Sequence, residues 1–156
     1  MERASGIISA VLLGCAACGG GGTDPSPTFD SIAGSYSGAM AGTSQGVALS
    51  STFGLTITQT GGTTGGSWAL QGTLSDGVES VDVLGTGSMT GTIASGNNPS
   101  VNLAIRTAAC PNYQANFSGA YDSANHRLTI TGPVVFFAAN TCDVALTYQA
   151  TIILNR

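Results

Sequence analysis

The chain has 156 residues, a net charge of −4, no lysine, and only 8% charged residues against 42% hydrophobic ones. Four scattered arginines leave no electrostatic footprint for a nucleic acid backbone. The polar remainder is mainly Gly, Thr, Ser and Asn, which belong to turns and outward strand faces rather than to a disordered chain.

The first segment reads as an address rather than as part of a fold. Arg3 is followed by the apolar residues 7–13, a run too short to span a bilayer as a helix but of the proportions of a signal-peptide core. Leu12-Leu13-Gly14-Cys15 resembles a bacterial lipobox: a branched apolar residue, a tolerant position, a small residue, then cysteine. That resemblance implies that residues 1–14 are removed, that Cys15 carries a diacylglycerol, and that the exported protein is held to a membrane by lipid with no transmembrane helix. Ala16 after the anchor resembles the members sorted to an outer membrane. Cys18 is a second acylation candidate, and a cleaved secretory signal or a buried N-terminal strand are the alternatives. Residues 15–28 then form a Gly-rich, afterwards Pro-containing, tether. Residues 29–156 have the size of one domain, enough for a core without a metal.

Within that domain nothing supports a helix, because no window repeats apolar residues at helical spacing and glycine recurs throughout. Strand periodicity is everywhere. Ile32, Gly34, Tyr36, Gly38 and Met40 share one face of a first strand. Phe53, Leu55 and Ile57 alternate with small polar residues, residues 60–66 turn, and Trp68, Leu70, Gly72 and Leu74 resume, which is a β-hairpin. Val81 and Val83 begin a fourth strand, and Met89, Gly91 and Ile93 continue it past Gly85-Thr86-Gly87, where a bulge is expected. Val101, Leu103 and Ile105 mark a fifth, and Tyr113, Ala115, Phe117, Gly119 and Tyr121 a sixth. Leu128, Ile130 and Gly132 mark a seventh, and Val144 to Leu154 alternate as an eighth. Eight strands joined mostly by short turns predict an all-β, antiparallel up-and-down barrel closed on itself. Glycines in phase with the inward face fit a strongly coiled sheet, and they are also expected to leave interior space. A β-sandwich is the runner-up. A membrane-spanning barrel ranks third, since ten aromatics form no girdles.

Ile32-Ala33-Gly34-Ser35-Tyr36, then Ser51-Thr52-Phe53, then Thr64-Gly65-Gly66-Ser67-Trp68 resemble the opening of small calycin-type barrels, lipocalin-like and avidin-like. The likeness covers about the first third of the domain. Tyr36 stands where those families carry Trp, and the polar set that holds biotin in avidins is not traceable. The resemblance therefore implies architecture and no binding residues.

Chemistry-bearing residues are sparse. Cys110 and Cys142 fall at the same end of the meander once the sixth and seventh strands fold about residues 123–125, so a disulfide is expected in an exported chain. His126, the only histidine, lies in a predicted turn and reads as surface rather than as a catalytic base. Asp76, Glu79 and Asp82 cluster at a turn without calcium-loop spacing and read as a solvated loop. No enzyme activity, metal or cofactor is expected. Pro133 to Ala139 is apolar on both faces, and Phe136 and Phe137 are the candidate contact patch at a mouth or an interface. The expected function is a lipid-anchored envelope module holding a small apolar ligand, with Tyr36, Trp68, Tyr113, Tyr121 and Tyr148 lining the interior. The alternative is a filled barrel serving as an interaction protein of the envelope.

Overall fold

A computed structural model describes residues 26–156, so the expected leader and the acylation candidates Cys15 and Cys18 lie outside the described residues. The described chain forms eight strands: β1 Gly34–Ser44, β2 Val47–Thr60, β3 Thr63–Ser75, β4 Ser80–Ile93, β5 Ser100–Thr107, β6 Gln114–Asp122, β7 Arg127–Phe137 and β8 Val144–Asn155. Each pairs antiparallel with its sequence neighbours and β1 pairs with β8, giving a closed barrel in the order β1 to β8. Closure removes both sheet edges, the reason eight amphipathic strands form one object rather than two stacked sheets.

The alternation places the sides as expected. Tyr36, Met40, Leu55, Leu103, Ile130, Ile152 and Leu154 point inward and are buried, whereas Ser35, Ser37, Thr52, Thr56, Thr90 and Asn102 face out and are exposed. This polarity is the inverse of a barrel whose outer wall contacts lipid. The expected bulge in β4 is absent. Its ladders with β3 and β5 run without a register shift, and Gly85 and Gly87 instead form a seat for the Trp68 ring, which a Cβ at either position would strike.

The two ends of the barrel differ. One holds the β2–β3, β4–β5 and β6–β7 turns together with both ends of the described chain. There Ile32 plugs the interior: its N–H donates to Gln59 Oε1 (2.7 Å), and Gln59 Nε2 donates in turn to the Asp30 carbonyl (3.0 Å). Val101, Leu128, Ile130, Ile152 and Leu154 fill the space around it with no exposed surface. The opposite end carries the tight β1–β2 turn at Gln45-Gly46, both with positive φ as a two-residue hairpin requires, and three longer loops.

The β6–β7 turn closes on Asp122, whose carboxylate accepts from Asn125 Nδ2 (2.7 Å) and pairs with Arg127 (3.4 Å). The Asn125 side chain, and after it the Asn125 N–H and Arg127, hold the Asp122 carboxyl below its usual range. A depressed folded-state value contributes stability that is present above the unfolded carboxylate value of about 4 and is lost as pH falls through and below it. Asp122→Asn is therefore expected to be less stable than the parent at neutral pH and to converge with it in acid. Thermal midpoints taken from pH 7 downward check this, and parallel curves would refute it.

Candidate functional site: a cavity at the open end

Where the strand ladders stop decides where space remains. The β6–β7 pairs end at Ser118↔Thr131, so Gln114–Phe117 of one strand and Gly132–Phe137 of the other diverge toward the open end. The β4–β5 pairs end at Gly87↔Thr107, with one more bond from Ala108 N–H to the Thr86 carbonyl (2.9 Å). Pro133 suits a strand with a free edge, having no N–H to leave unpaired. Between these diverging strands lies a cavity of about 720 Å³, open at the end and flank of the barrel.

Its floor is made by Phe53, Leu70, Ile105 and Phe117, all buried. Trp68 stands on this floor, stacked on Phe53 with ring centroids 5.9 Å apart and planes 19° from parallel. The indole N–H donates to the Arg106 carbonyl (2.9 Å), and of the two seat glycines Gly85 faces the six-membered ring and Gly87 the indole nitrogen. Stacking, hydrogen bond and seat together fix the ring, the property a preformed binding wall needs. On the far side Val134, Phe136 and Phe137 of β7 line the cavity, and Tyr113 packs edge-on to Phe137 at 5.1 Å.

A disulfide spans the opening. Cys110 of the β5–β6 loop is bonded to Cys142 of the β7–β8 loop, with Cα atoms 5.7 Å apart, and both line the cavity. The β5–β6 loop is braced from below by Arg106, whose guanidinium donates to the Pro111 carbonyl (3.2 Å) and to Gln114 Oε1 (2.8 Å). Polar lining is confined to the upper rim, at Thr107, Asn140, Thr141 and Asp82. The arrangement offers a deep apolar wall with a polar lip.

The five aromatic residues expected to line the interior divide into two groups. Trp68 and Tyr113 line the cavity, while Tyr36, Tyr121 and Tyr148 do not. Tyr36 and Tyr121 sit in the closed end, edge-to-face at 6.4 Å. The Tyr36 hydroxyl donates to the Ile32 carbonyl (2.9 Å), and the Tyr121 hydroxyl meets His126 Nδ1 (3.2 Å). Burial, with the Tyr121 contact second, pushes the Tyr36 phenol well above its ordinary range. The Tyr148 hydroxyl donates to the Val47 carbonyl (3.2 Å), and its ring packs behind Phe136 at 5.7 Å. All three polar tips are thus spent on the barrel itself.

The inward glycines also fail to leave space. A Cβ at Gly38, Gly72, Gly91 or Gly119 would overlap the carbonyl oxygen of Ile153, Ser50, Asn102 or Thr129 respectively, so neighbouring backbone already occupies the room. The candidate patch Phe136–Phe137 and the cavity prove to be one place. Sequence reasoning missed the floor residues and the disulfide as a wall, although the short β5 and β6 beside long β4 hinted at unequal ladders. Among the described residues no group of three His, Cys, Asp or Glu side chains is arranged to hold a metal ion. No family model, no curated protein and no solved structure matches the chain.

Proposed function

We propose that the chain is a binding module for a small apolar ligand, displayed in the cell envelope on a lipid anchor at Cys15. The observation that carries this reading is the cavity of about 720 Å³ with its apolar floor and rigid tryptophan. That volume lies within the roughly 300–1,000 Å³ of small-molecule sites, and an apolar wall with a few polar groups at one side is their usual lining. The alternative of a barrel filled throughout describes the closed half and not the open one. Thr28, whose carbonyl accepts from Gly96 N–H (3.3 Å), brings the chain in at the closed end. An anchor preceding it leaves the cavity at the opposite end, away from the attachment point.

Trp68 is the only tryptophan, so its emission reports on the cavity alone. Titration with the neutral apolar fluorophore N-phenyl-1-naphthylamine is expected to quench Trp68 and to light the probe. Ala115→Phe, which places a ring in the cavity from β6, is expected to weaken that response about tenfold or more while leaving the barrel folded. A probe that leaves Trp68 emission unchanged, or that responds equally in the Ala115→Phe variant, would sink the proposal.

A further inference from the structure

Beyond its last contact with β5, the fourth strand runs on with one edge free. β3 pairs with it along its whole length, from Thr63↔Thr92 to Ser75↔Ser80, so the free edge is the one β5 abandons. Thr86 turns its carbonyl toward Ala108, and the alternation of an antiparallel strand turns the N–H and C=O groups of Leu84, Asp82 and Ser80 the same way. Among the described residues no strand stands beside them. The apolar side chains here are unusually bare for a closed barrel: Val78 is 91% exposed, Val81 60% and Leu84 79%.

We propose that this edge of β4 takes an extended polypeptide segment carrying alternate cationic and aliphatic side chains, added as a further strand. Main-chain bonds to Ser80, Asp82 and Leu84 would supply affinity, and alternate side chains would supply selectivity, as in other cases of strand addition. Charge identifies the occupant. Asp76, Glu79 and Asp82 flank the exposed valines and leucine, and the ion pair among the described residues, Arg127–Asp122, lies at the other end of the barrel. Arg106 is committed to Pro111 and Gln114. The edge is therefore apolar, hydrogen-bonding and, among the described residues, negatively charged without a cationic partner. A second copy of the chain would set carboxylates against carboxylates across the new ladder, which is destabilising, and an anionic membrane surface would be repelled. The inference is independent of the cavity ligand, although a segment docked here would run beside Asp82–Gly85, which also line the cavity.

The test is calorimetric titration of the full chain with a synthetic peptide of about ten residues alternating Lys and Val, beside its Glu–Val counterpart. The Lys–Val peptide is expected to bind and the Glu–Val peptide to fail. Leu84→Pro removes an edge donor, and Leu84→Lys places a charge on the same edge with the backbone intact. Either is expected to weaken binding about tenfold or more, with the far-ultraviolet circular dichroism unchanged. Asp76→Asn combined with Glu79→Gln and Asp82→Asn is expected to weaken it similarly and to remove its dependence on salt. Equal binding of the two peptides, absence of binding, or indifference to both Leu84 variants overturns the proposal. So does a dimer in sedimentation that Leu84→Lys dissolves, which gives the edge to a second copy. Binding to phosphatidylcholine vesicles that Leu84→Lys abolishes, without peptide binding, gives it to a membrane instead.

Discussion

Gly119→Ala is expected to destabilise the barrel by about 2–3 kcal/mol, the upper range for overpacking a filled site. Gly54→Ala, one methyl group on another strand, is expected to be neutral or to stabilise by roughly half a kcal/mol. The two differ in what the new methyl meets. At Gly119 it would overlap the Thr129 carbonyl oxygen and come within 2.8 Å of the Ile130 Cα. Both are backbone atoms of β7, which cannot rotate aside as a side chain can. At Gly54, on the outer face, the nearest atom is the Tyr36 carbonyl oxygen at 3.6 Å, an ordinary contact. Position aggravates the first change, because β6 and β7 are joined only from Ser118↔Thr131 to Asp122↔Arg127, and Gly119↔Ile130 lies within that short seam. Pushing the strands apart there extends the divergence that already forms the cavity. Denaturant midpoints of the two variants decide the matter, and equal midpoints would mean that the close approach of β6 to β7 is not what Gly119 permits.

That contrast also shows why the architecture was legible in the sequence while the site was only half so. Alternation of Leu146, Tyr148, Ala150, Ile152 and Leu154 states which face of β8 is buried, and the same arithmetic on all eight strands, with short turns between them, implies closure. Period two assigns a side, inside or outside. It does not assign a height along the barrel axis. Tyr36, Trp68 and Tyr121 are all inward, yet Tyr36 lies two residues into β1 and Tyr121 one residue from the end of β6, both at the closed end. Trp68 lies in the middle of β3, level with the point where the β4–β5 ladder gives out. Height depends on register between strands, and so on pairs such as Trp68↔Gly87 and Gly87↔Thr107 that join distant residues. The inward glycines misled for a related reason. A missing side chain reads as a hole in one strand, but the coiled neighbour closes the hole with its own backbone, and that movement has no local signature. The double-sided apolar run at Pro133–Phe137 was the one local sign of the cavity, because it belongs to a strand that faces the core on one side and a slot on the other.

Replacing Cys110 and Cys142 together by serine is expected to lower stability by roughly 3–4 kcal/mol, and separately to weaken binding in the cavity. The first effect follows from chain entropy, since the bridge closes a loop over a sequence separation of 32 that contains all of β6 and β7. These two strands are the pair with the shortest ladder beside the cavity, so the covalent link supports the stretch of wall that backbone hydrogen bonds leave unsupported. The second effect follows from geometry. The bridge ties the β5–β6 loop, which carries Tyr113, to the β7–β8 loop that follows Phe137, and the Tyr113–Phe137 contact lies directly beneath it. Without it, two loops are held to each other by little more than that aromatic contact, and the far wall gains freedom that a ligand must remove on binding. Measuring N-phenyl-1-naphthylamine affinity well below the melting midpoint of the variant separates the two effects, because the protein is then folded in both samples. A lowered midpoint with unchanged affinity would mean that the cavity is shaped by Trp68, Phe53 and the strand ends alone. A weakened affinity in the folded variant would show that the disulfide is part of the binding wall, which its position on the lining already places in contact with any molecule that fills the cavity.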